Sequence, residues 1–434
     1  MAIHRYHGPG DVLIFLTGQE EIESAIELLE QQDSESHSRY RLMALPLYAG
    51  LPQAEQMKVF SPTPRGVRKV IVATPIAETS VTLEGVVYVV DCGFMKQQCY
   101  NPHTTHNTLL VVPESRANAV QRAGRAGRVR PGHCYRLYQE AIFDTLATAP
   151  VAEMQRSDLS STVLQLKALG VDNILNFDWM APPPAELLVS ALELLYALGA
   201  LDESAKLTKP LGAFMAELPL DVMLAKVVLV SPELKCSEEI LTIAAMLSVQ
   251  SMWVSVRGAK RELDEVKLHF AVSEGDHITY LNVYEGFCRS NRSPQWCSRN
   301  CLNYRALLRA ADVRAQLRKH LQRMQLSLES NGGGRDSDAV LRALTAGFFA
   351  NATRLDGADT YVGIRERGGD AARMRIHPTS VLFQAAPPPK FLLYTATKST
   401  KQLYMEDVAT IQPEWLIELA PHFYEERASR QAAA

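Results

Sequence analysis

The chain has 434 residues, 47% of them hydrophobic and 21% charged, with a formal net charge of −3. That balance excludes a polybasic protein, so any nucleic-acid surface is local, and the length suits about two to four domains. No apolar run reaches the roughly 18 residues of a membrane span, the start lacks a secretory apolar region, and seven cysteines without Cys-x-x-Cys spacing fit a reducing, intracellular setting.

From the N-terminus, "DVLIFL" (11–16) predicts a short buried strand. "TGQEEIESAIELLEQ" follows, with Ile22, Ala25, Ile26 and Leu29 on one face of an amphipathic helix. "LMALPLYA", "RKVIVAT", "VVYVVDCG" and "HCYRLY" predict further strands. Strands alternating with helices imply an α/β parallel sheet, whose ligands gather beyond the carboxyl ends of its strands. "VIVATPIAETSVT" and "QRAGRAGRVRPG" (121–132) both adjoin such ends. Between them, "GFMKQQCYNPHTTHNTLLVVP" predicts a β-hairpin around Asn101-Pro102, spanning 94–112.

From about residue 140 the pattern turns helical. "STVLQLKALG" and "ELLVSALELLYALG" each carry an apolar stripe and stop at Gly170 and Gly199, a frequent residue just past a helix end. "ALDESAKLTKPLG" predicts a small β wing, so a winged-helix unit fits 140–213. Residues 214–330 read as nearly all helical, including "SEEILTIAAMLSVQ" and "NYRALLRAADVRAQLRKHLQ". Cys297 and Cys301 sit one helical turn apart with His277 upstream, a pattern that packing explains without a metal. The run "NGGGRDSD" (331–338) marks a linker or exposed loop. After it "TYVGIR", "RMRIHP", "SVLF", "FLLYTAT" and "LYMEDVATI" predict short strands that fit an OB-like β-barrel.

The arginine-rich stretch has the clearest chemistry. On a helix, Gln121, Arg125 and Arg128 fall at i, i+4 and i+7 on one stripe, while Arg122 points elsewhere. Its two internal glycines cost on the order of 1 kcal/mol each there, a cost usually tolerated where something approaches the backbone closely. Two guanidinium forks and an amide aimed at one point suit phosphate oxygens. A basic, solvated helix end, or a grip on a nucleic-acid backbone, would use the same residues.

Together these segments resemble the DEAH-box RNA helicases. "QRAGRAGRVRPG" is similar to their motif VI, "ATPIAETSVT" to motif V and "LIFLTGQEEIE" to motif IV, with matching order and spacing. The downstream segments extend the resemblance from about residue 10 to about 425. "LQLKALGVDN", "EGDHITYLNVYEGF" and "WLIELAPHFY" most resemble the branch named DEAH-box helicase thirty-five, which is linked to splicing. The resemblance implies a second RecA-like domain over 1–139, then a winged-helix (140–213), a helical ratchet bundle (214–330) and an OB-like barrel (331–434). The sequence contains no Gly-Lys-Ser/Thr and no Asp-Glu-x-His. The family carries its P-loop and its Mg²⁺-holding motif on a first RecA-like domain. The chain is therefore expected to be the C-terminal two-thirds of an ATP-dependent RNA helicase, inactive towards ATP by itself.

The same resemblance implies roles for individual residues. Arg125 and Arg128 match arginine fingers on the γ-phosphate of ATP, and Gln121 the residue that positions attacking water. Phe60, in "MKVFSP", matches the aromatic that stacks on adenine, though ordinary core packing also accounts for it. Glu84, in "VTLEG", stands where the family usually has an aspartate near the ribose. Thr82 matches a nucleotide contact, while Thr79 and Ser80 cap or support the loop. On the RNA side, Thr17, Gly18 and Thr74 resemble positions that grip the backbone. Pro75 stands where the family typically carries asparagine, and it removes both an amide and a backbone N–H. Asn303, Arg309 and Arg314 match helices lining the RNA tunnel, or form a solvated polar face. The hairpin matches a wedge or strand guide, or closes the sheet.

Implied partners are single-stranded RNA or an RNP, the first RecA-like domain, and spliceosomal proteins or a G-patch type activator, in the nucleus and without a membrane. Two rivals fit the same residues: a non-catalytic RNA-binding scaffold without an ATPase half, and a related DNA helicase.

Overall fold

The apolar runs of the first 140 residues build a parallel sheet. The computed structural model describes residues 1–34, 38–79, 82–102, 104–128, 130–249, 251–254, 260–332, 337–365, 372–399 and 402–424. The chain groups into two compact units, residues 1–99 with 109–156, and residues 100–108 with 157–434.

The first unit contains α1 (Ala2–Tyr6), β1 (Asp11–Phe15), α2 (Gln19–Ser34), β2 (Arg41–Leu47), α3 (Gln53–Lys58), β3 (Val67–Ala73), α4 (Ile76–Thr79) and β4 (Val86–Asp91). A ribbon of β5 (Phe94–Asn101) and β6 (His106–Pro113) follows, then α5 (Arg116–Ala123), β7 (His133–Arg136) and α6 (Glu140–Thr145). The sheet runs β2-β3-β1-β4-β7 with every neighbouring pair parallel. Its central strands are apolar over most of their length because both faces are covered, with Asp11, Arg68, Lys69 and Asp91 near the strand ends. Leu13, Phe15, Ile71, Ala73 and Val89 pack on one side. Val12, Val70, Val72 and Tyr88 meet Ile22 and Ile26 of α2 on the other. The hairpin pairs only with itself among the described residues, so it does not close the sheet.

The second unit begins with α7 (Ser160–Ala168) and α8 (Ala185–Ala197). Gly170 and Gly199 do end these helices in the left-handed region, with φ of 91° and 75°. The predicted wing is reduced to one antiparallel bridge, Leu201 to Leu207. Next come α9 (Leu211–Glu217), α10 (Val222–Val230), α11 (Ser237–Leu247), α12 (Lys260–Leu268), α13 (Asp276–Arg289), α14 (Pro294–Arg299), α15 (Tyr304–Arg323) and α16 (Ser337–Phe348). Residues 333–336 of the glycine run lie outside the described residues. Cys301 falls beyond the end of α14 at a φ of 50°, so it shares no helical turn with Cys297.

The barrel closes in the order β10-β12-β11-β8-β9, from β8 (Ala352–Leu355), β9 (Tyr361–Gly363), β10 (Met374–Ile376), β11 (Phe391–Ser399) and β12 (Leu403–Thr410), with α17 (Pro413–Leu419) after it. "SVLF" forms turns where a strand was expected. The cause is Asp276 at the start of α13, whose carboxylate accepts the N–H groups of Val381 and Val408, each at 2.9 Å. Val381 thus has its donor taken by a helix terminus and is not available to a strand ladder. Within this unit Tyr100 hydrogen-bonds Ser190 at 3.4 Å, and the His106 ring lies 6.0 Å from that of Tyr394.

Candidate functional site

The arginine stretch begins where Ser115 caps α5, its hydroxyl accepting the Asn118 N–H at 3.2 Å. The helix stops at Ala123, which corrects the expectation of one helical stripe: only Gln121 is helical. Beyond it the N–H of Arg125 bonds the Arg122 carbonyl at 3.0 Å and that of Ala126 the Ala123 carbonyl at 3.1 Å, both three residues back. Glycine at 124 and 127 withdraws helix propensity where the tightening occurs. Close backbone approach is found at Gly132 instead, where a Cβ would collide with the carbonyl oxygens of Ala126 and Val87.

The turn still brings cations together. Arg128 Nη1 donates to the Thr82 hydroxyl at 2.8 Å, joining the turn to the loop before β4. Burial, then the neighbouring charge of Arg128, lowers the pKa of Arg125, with Glu78 acting in the opposite sense. The Arg128 charge acts on Arg125, and a nearby anion would offset that repulsion. The groups offered are donors suited to phosphate oxygens and unsuited to a cation. Gln121 and Glu84 are exposed, outside the Arg128–Thr82 contact.

Phe60 is 42% exposed, which rules out the core-packing reading. The segment around it is pinned from below by a residue the sequence reading missed. Lys69, buried on β3, donates from Nζ to the carbonyls of Val59 at 2.9 Å and Ser61 at 2.8 Å, one on each side of Phe60. Asp11 completes the support, 4.0 Å from Lys69 Nζ and accepting the Thr63 hydroxyl at 2.5 Å. Burial lowers the pKa of Lys69, and Asp11 partly restores it. A lysine within an apolar strand is the only sequence signal for this support.

Thr17 and Gly18 follow β1. Thr17 hydrogen-bonds Glu21, and Lys96 of β5 lies 3.2 and 3.3 Å from the two Glu21 carboxylate oxygens. Its ammonium occupies the place where a Cβ on Gly18 would fall. Burial pushes Glu21 up, but its own backbone N–H and Lys96 outweigh this and hold its pKa below the ordinary value. Lys96 is a second residue that sequence reasoning missed. Thr74 uses its N–H on the Leu47 carbonyl at 3.1 Å, while its own carbonyl accepts the Ala77 N–H at 3.2 Å. Pro75 sits at the start of α4, where a missing N–H goes unused, and its carbonyl accepts the Glu78 N–H at 2.8 Å. Thr79 ends α4, and Ser80 lies outside the described residues.

Arg122, next to Gln121, is fully buried. Its Nε lies 3.2 Å from Glu78, and its Nη1 lies 2.7 Å from Asp91 and 2.8 Å from Glu114. The guanidinium also reaches the Phe94 carbonyl at 3.4 Å and lies 5.0 Å from the centre of the Phe15 ring. Three carboxylates from separate stretches of chain thus surround one cation, a grouping that spacing along the sequence does not reveal.

In the second unit, Asn303 caps α15 by accepting the Ala306 N–H at 3.2 Å. Arg314 is drawn inward: Nε donates to the Thr242 hydroxyl at 2.8 Å, and Nη2 meets the Glu238 carboxylate at 2.5 Å. Arg309 is exposed on α15.

Comparison with known proteins agrees with this layout. Residues 2–130 match the helicase conserved C-terminal domain, and 191–220 the winged-helix part of the helicase associated domain (HA2). Residues 221–280 match its ratchet-like part, and 340–424 the oligonucleotide/oligosaccharide-binding (OB) fold. The chain is 51% identical over 427 residues, 98% of its length, to a human protein described as probable ATP-dependent RNA helicase DHX35. It is equally identical over the same length to the Pongo abelii protein of that description. It is also 44% identical over 426 residues to the Schizosaccharomyces pombe pre-mRNA-splicing factor ATP-dependent RNA helicase prp22. The chain spans 60%, 58% and 36% of these three relatives.

Proposed function

Because the chain belongs to the DEAH-box RNA helicase family, corresponding to its C-terminal region, we propose that it supplies one wall of an ATP site and the trailing domains of an RNA motor. The observation that carries this reading is the cation pair of Arg125 and Arg128, anchored through Thr82. In it, Arg125 and Arg128 meet charge developing on the γ-phosphate, and pre-placed guanidiniums need no reorganisation as the bond breaks. Gln121 orients the attacking water, Phe60 stacks on adenine, and Thr82 and Glu84 bind the nucleotide. Mg²⁺, held by another RecA-like domain, neutralises phosphate charge when bound.

RNA is gripped through its phosphates by Thr17, Gly18, Thr74 and Lys96 in the first unit, without reading bases. In the second, exposed Arg309 is the direct contact, while Asn303 and Arg314 hold the helices in place. We assign 1–139 to the RecA-like domain, 140–213 to the winged helix, 214–330 to the ratchet and 331–434 to the barrel. The likeness to a pre-mRNA-splicing factor supports remodelling of RNA or RNP in splicing, in the nucleus, with spliceosomal proteins or a G-patch type activator as partners.

The test compares the 434-residue chain with the same chain joined to a P-loop motor domain. The chain alone is expected to bind single-stranded RNA weakly, with affinity falling as salt rises, and to show no ATP turnover. The joined protein should turn over ATP faster when RNA is added. Robust turnover by the chain alone overturns the reading. RNA binding with no turnover in the joined protein favours the second reading, a non-catalytic scaffold.

A further inference from the structure

Arg122 has no role in the nucleotide reading above, yet it is the most heavily engaged side chain near it. We propose that Arg122 is a positioning residue that couples the phosphate-facing turn to the root of the hairpin, so that movement of one is passed to the other. The proposal rests on the ATP-driven function argued above and extends it to how force leaves the site.

The geometry carries it. On one side, the Arg122 carbonyl accepts the N–H of Arg125, so the turn that holds the two exposed-side cations starts from the Arg122 backbone. On the other, its guanidinium gathers both ends of the hairpin. It reaches the carbonyl of Phe94, the first residue of β5, and the carboxyl of Glu114, just after β6. Glu114 and Gly93 are themselves joined, N–H to carbonyl, at 2.9 Å. Asp91, the last residue of β4, binds both Arg122 and the N–H of Gly93 at 3.1 Å. Glu78 links the group to α4, and Asn118 of α5 also donates to it.

The cluster is stiff for a physical reason. Removing Arg122 leaves the buried carboxylates of Glu78 and Asp91 without their cation, which strongly opposes local rearrangement. Burial, then the hydrogen bond with Asp91, pushes the Glu114 carboxyl up to about 8, so at neutral pH it carries a proton, and Tyr138 donates to its other oxygen at 2.9 Å. One formal charge is thereby removed from a crowded site. The rigid planar fork of arginine contacts several acceptors at fixed angles; a lysine ammonium would satisfy fewer of them and release the hairpin root.

The experiment uses the chain joined to a P-loop motor domain and measures RNA-stimulated ATP turnover and base pairs displaced per ATP. Arg122→Lys is expected to keep turnover within about threefold while displacement per ATP falls at least tenfold. Glu114→Ala, which cuts the hairpin side and leaves α5 intact, is expected to lower displacement per ATP at least fivefold. Glu114→Gln keeps the shape and neutrality of the protonated carboxyl and should hold it within about twofold. If Arg122→Lys fails to fold, the Glu114 pair decides. Unchanged displacement per ATP in Arg122→Lys or Glu114→Ala overturns the proposal, as does a parallel loss of turnover and displacement. Arg125→Ala reports on the nucleotide site alone: if it leaves turnover intact, the functional reading has failed rather than the coupling.

Discussion

Arg128 and Thr82 are joined by a 2.8 Å hydrogen bond although 46 residues separate them in the chain. The bond fixes the Arg128 guanidinium against the loop before β4. In the joined protein, Arg125→Ala and Arg128→Ala are each expected to lower kcat by roughly 10³–10⁵-fold, the range of arginine fingers in related phosphoryl transfer. Thr82→Val should cost far less, since it loosens Arg128 without removing it. RNA affinity without nucleotide should stay the same in all three. Steady-state turnover and RNA titration check this; intact kcat with weakened RNA binding would make the turn an RNA grip.

Lys69 gives a prediction in which binding and chemistry separate. Lys69→Met unpins the carbonyls on either side of Phe60 while leaving the arginine turn untouched. Nucleotide affinity is expected to weaken about tenfold, equivalent to ~1.4 kcal/mol, with kcat nearly unchanged. Lys69→Arg, whose planar fork presents its donors in a different geometry, should behave like the methionine variant. A fall in kcat with unchanged affinity would separate Lys69 from the adenine contact.

Pro75 is accommodated at the start of α4, so its replacement tests RNA contact rather than folding. Pro75→Asn restores two donors at the carboxyl edge of β3. A hydrogen bond to a charged phosphate contributes about 1.5–3 kcal/mol, part of which water already replaces. RNA binding should tighten and RNA-stimulated turnover rise at one fixed salt concentration, with little effect on RNA-free turnover. Equal or weaker RNA affinity would show a loop adapted to proline.

His277 on α13 is fully buried, and among the described residues neither ring nitrogen has a hydrogen-bond partner. Burial lowers its pKa to about 4. Between that value and the unfolded 6.5, the unfolded chain binds a proton that the folded chain refuses. The stability it affects is therefore intact above pH 6.5 and declines as pH falls towards 4. At pH 5 the loss from this group is about 2 kcal/mol. Denaturant unfolding at pH 7.5 and pH 5 should show a smaller acid loss in His277→Leu than in the native chain. An identical loss would assign the acid sensitivity to other groups.

Much of this architecture was legible in the sequence because periodicity reports burial. The strands of the first unit, the hairpin and the glycine-ended helices α7 and α8 follow from apolar spacing and from the left-handed residues at Gly170 and Gly199. What escaped depends on distant partners. "SVLF" has the composition of a strand, but Asp276, more than a hundred residues earlier, takes the Val381 donor. Strand β8 and helix α16 went unread: β8 is four residues long, and α16 begins directly after the glycine run. Among the site residues, Gln121, Arg125 and Arg128 were found by a helical argument whose geometry fails after Ala123. Gln121 lies on the helix, and the two arginines lie on the turn that follows it. Lys69, Lys96 and Arg122 were missed because a cation's value lies in what surrounds it.

The Arg122 cluster also constrains how this protein can change over generations. Glu78, Asp91, Glu114 and Arg122 come from four stretches of chain, and a substitution at Arg122 strands the charge of Glu78 and Asp91. Such a loss is about 3–5 kcal/mol, against a typical total stability of about 5–15 kcal/mol. Neutral drift therefore cannot pass through Arg122 alone. A descendant that departs at Arg122 should carry a compensating change at Glu78 or Asp91.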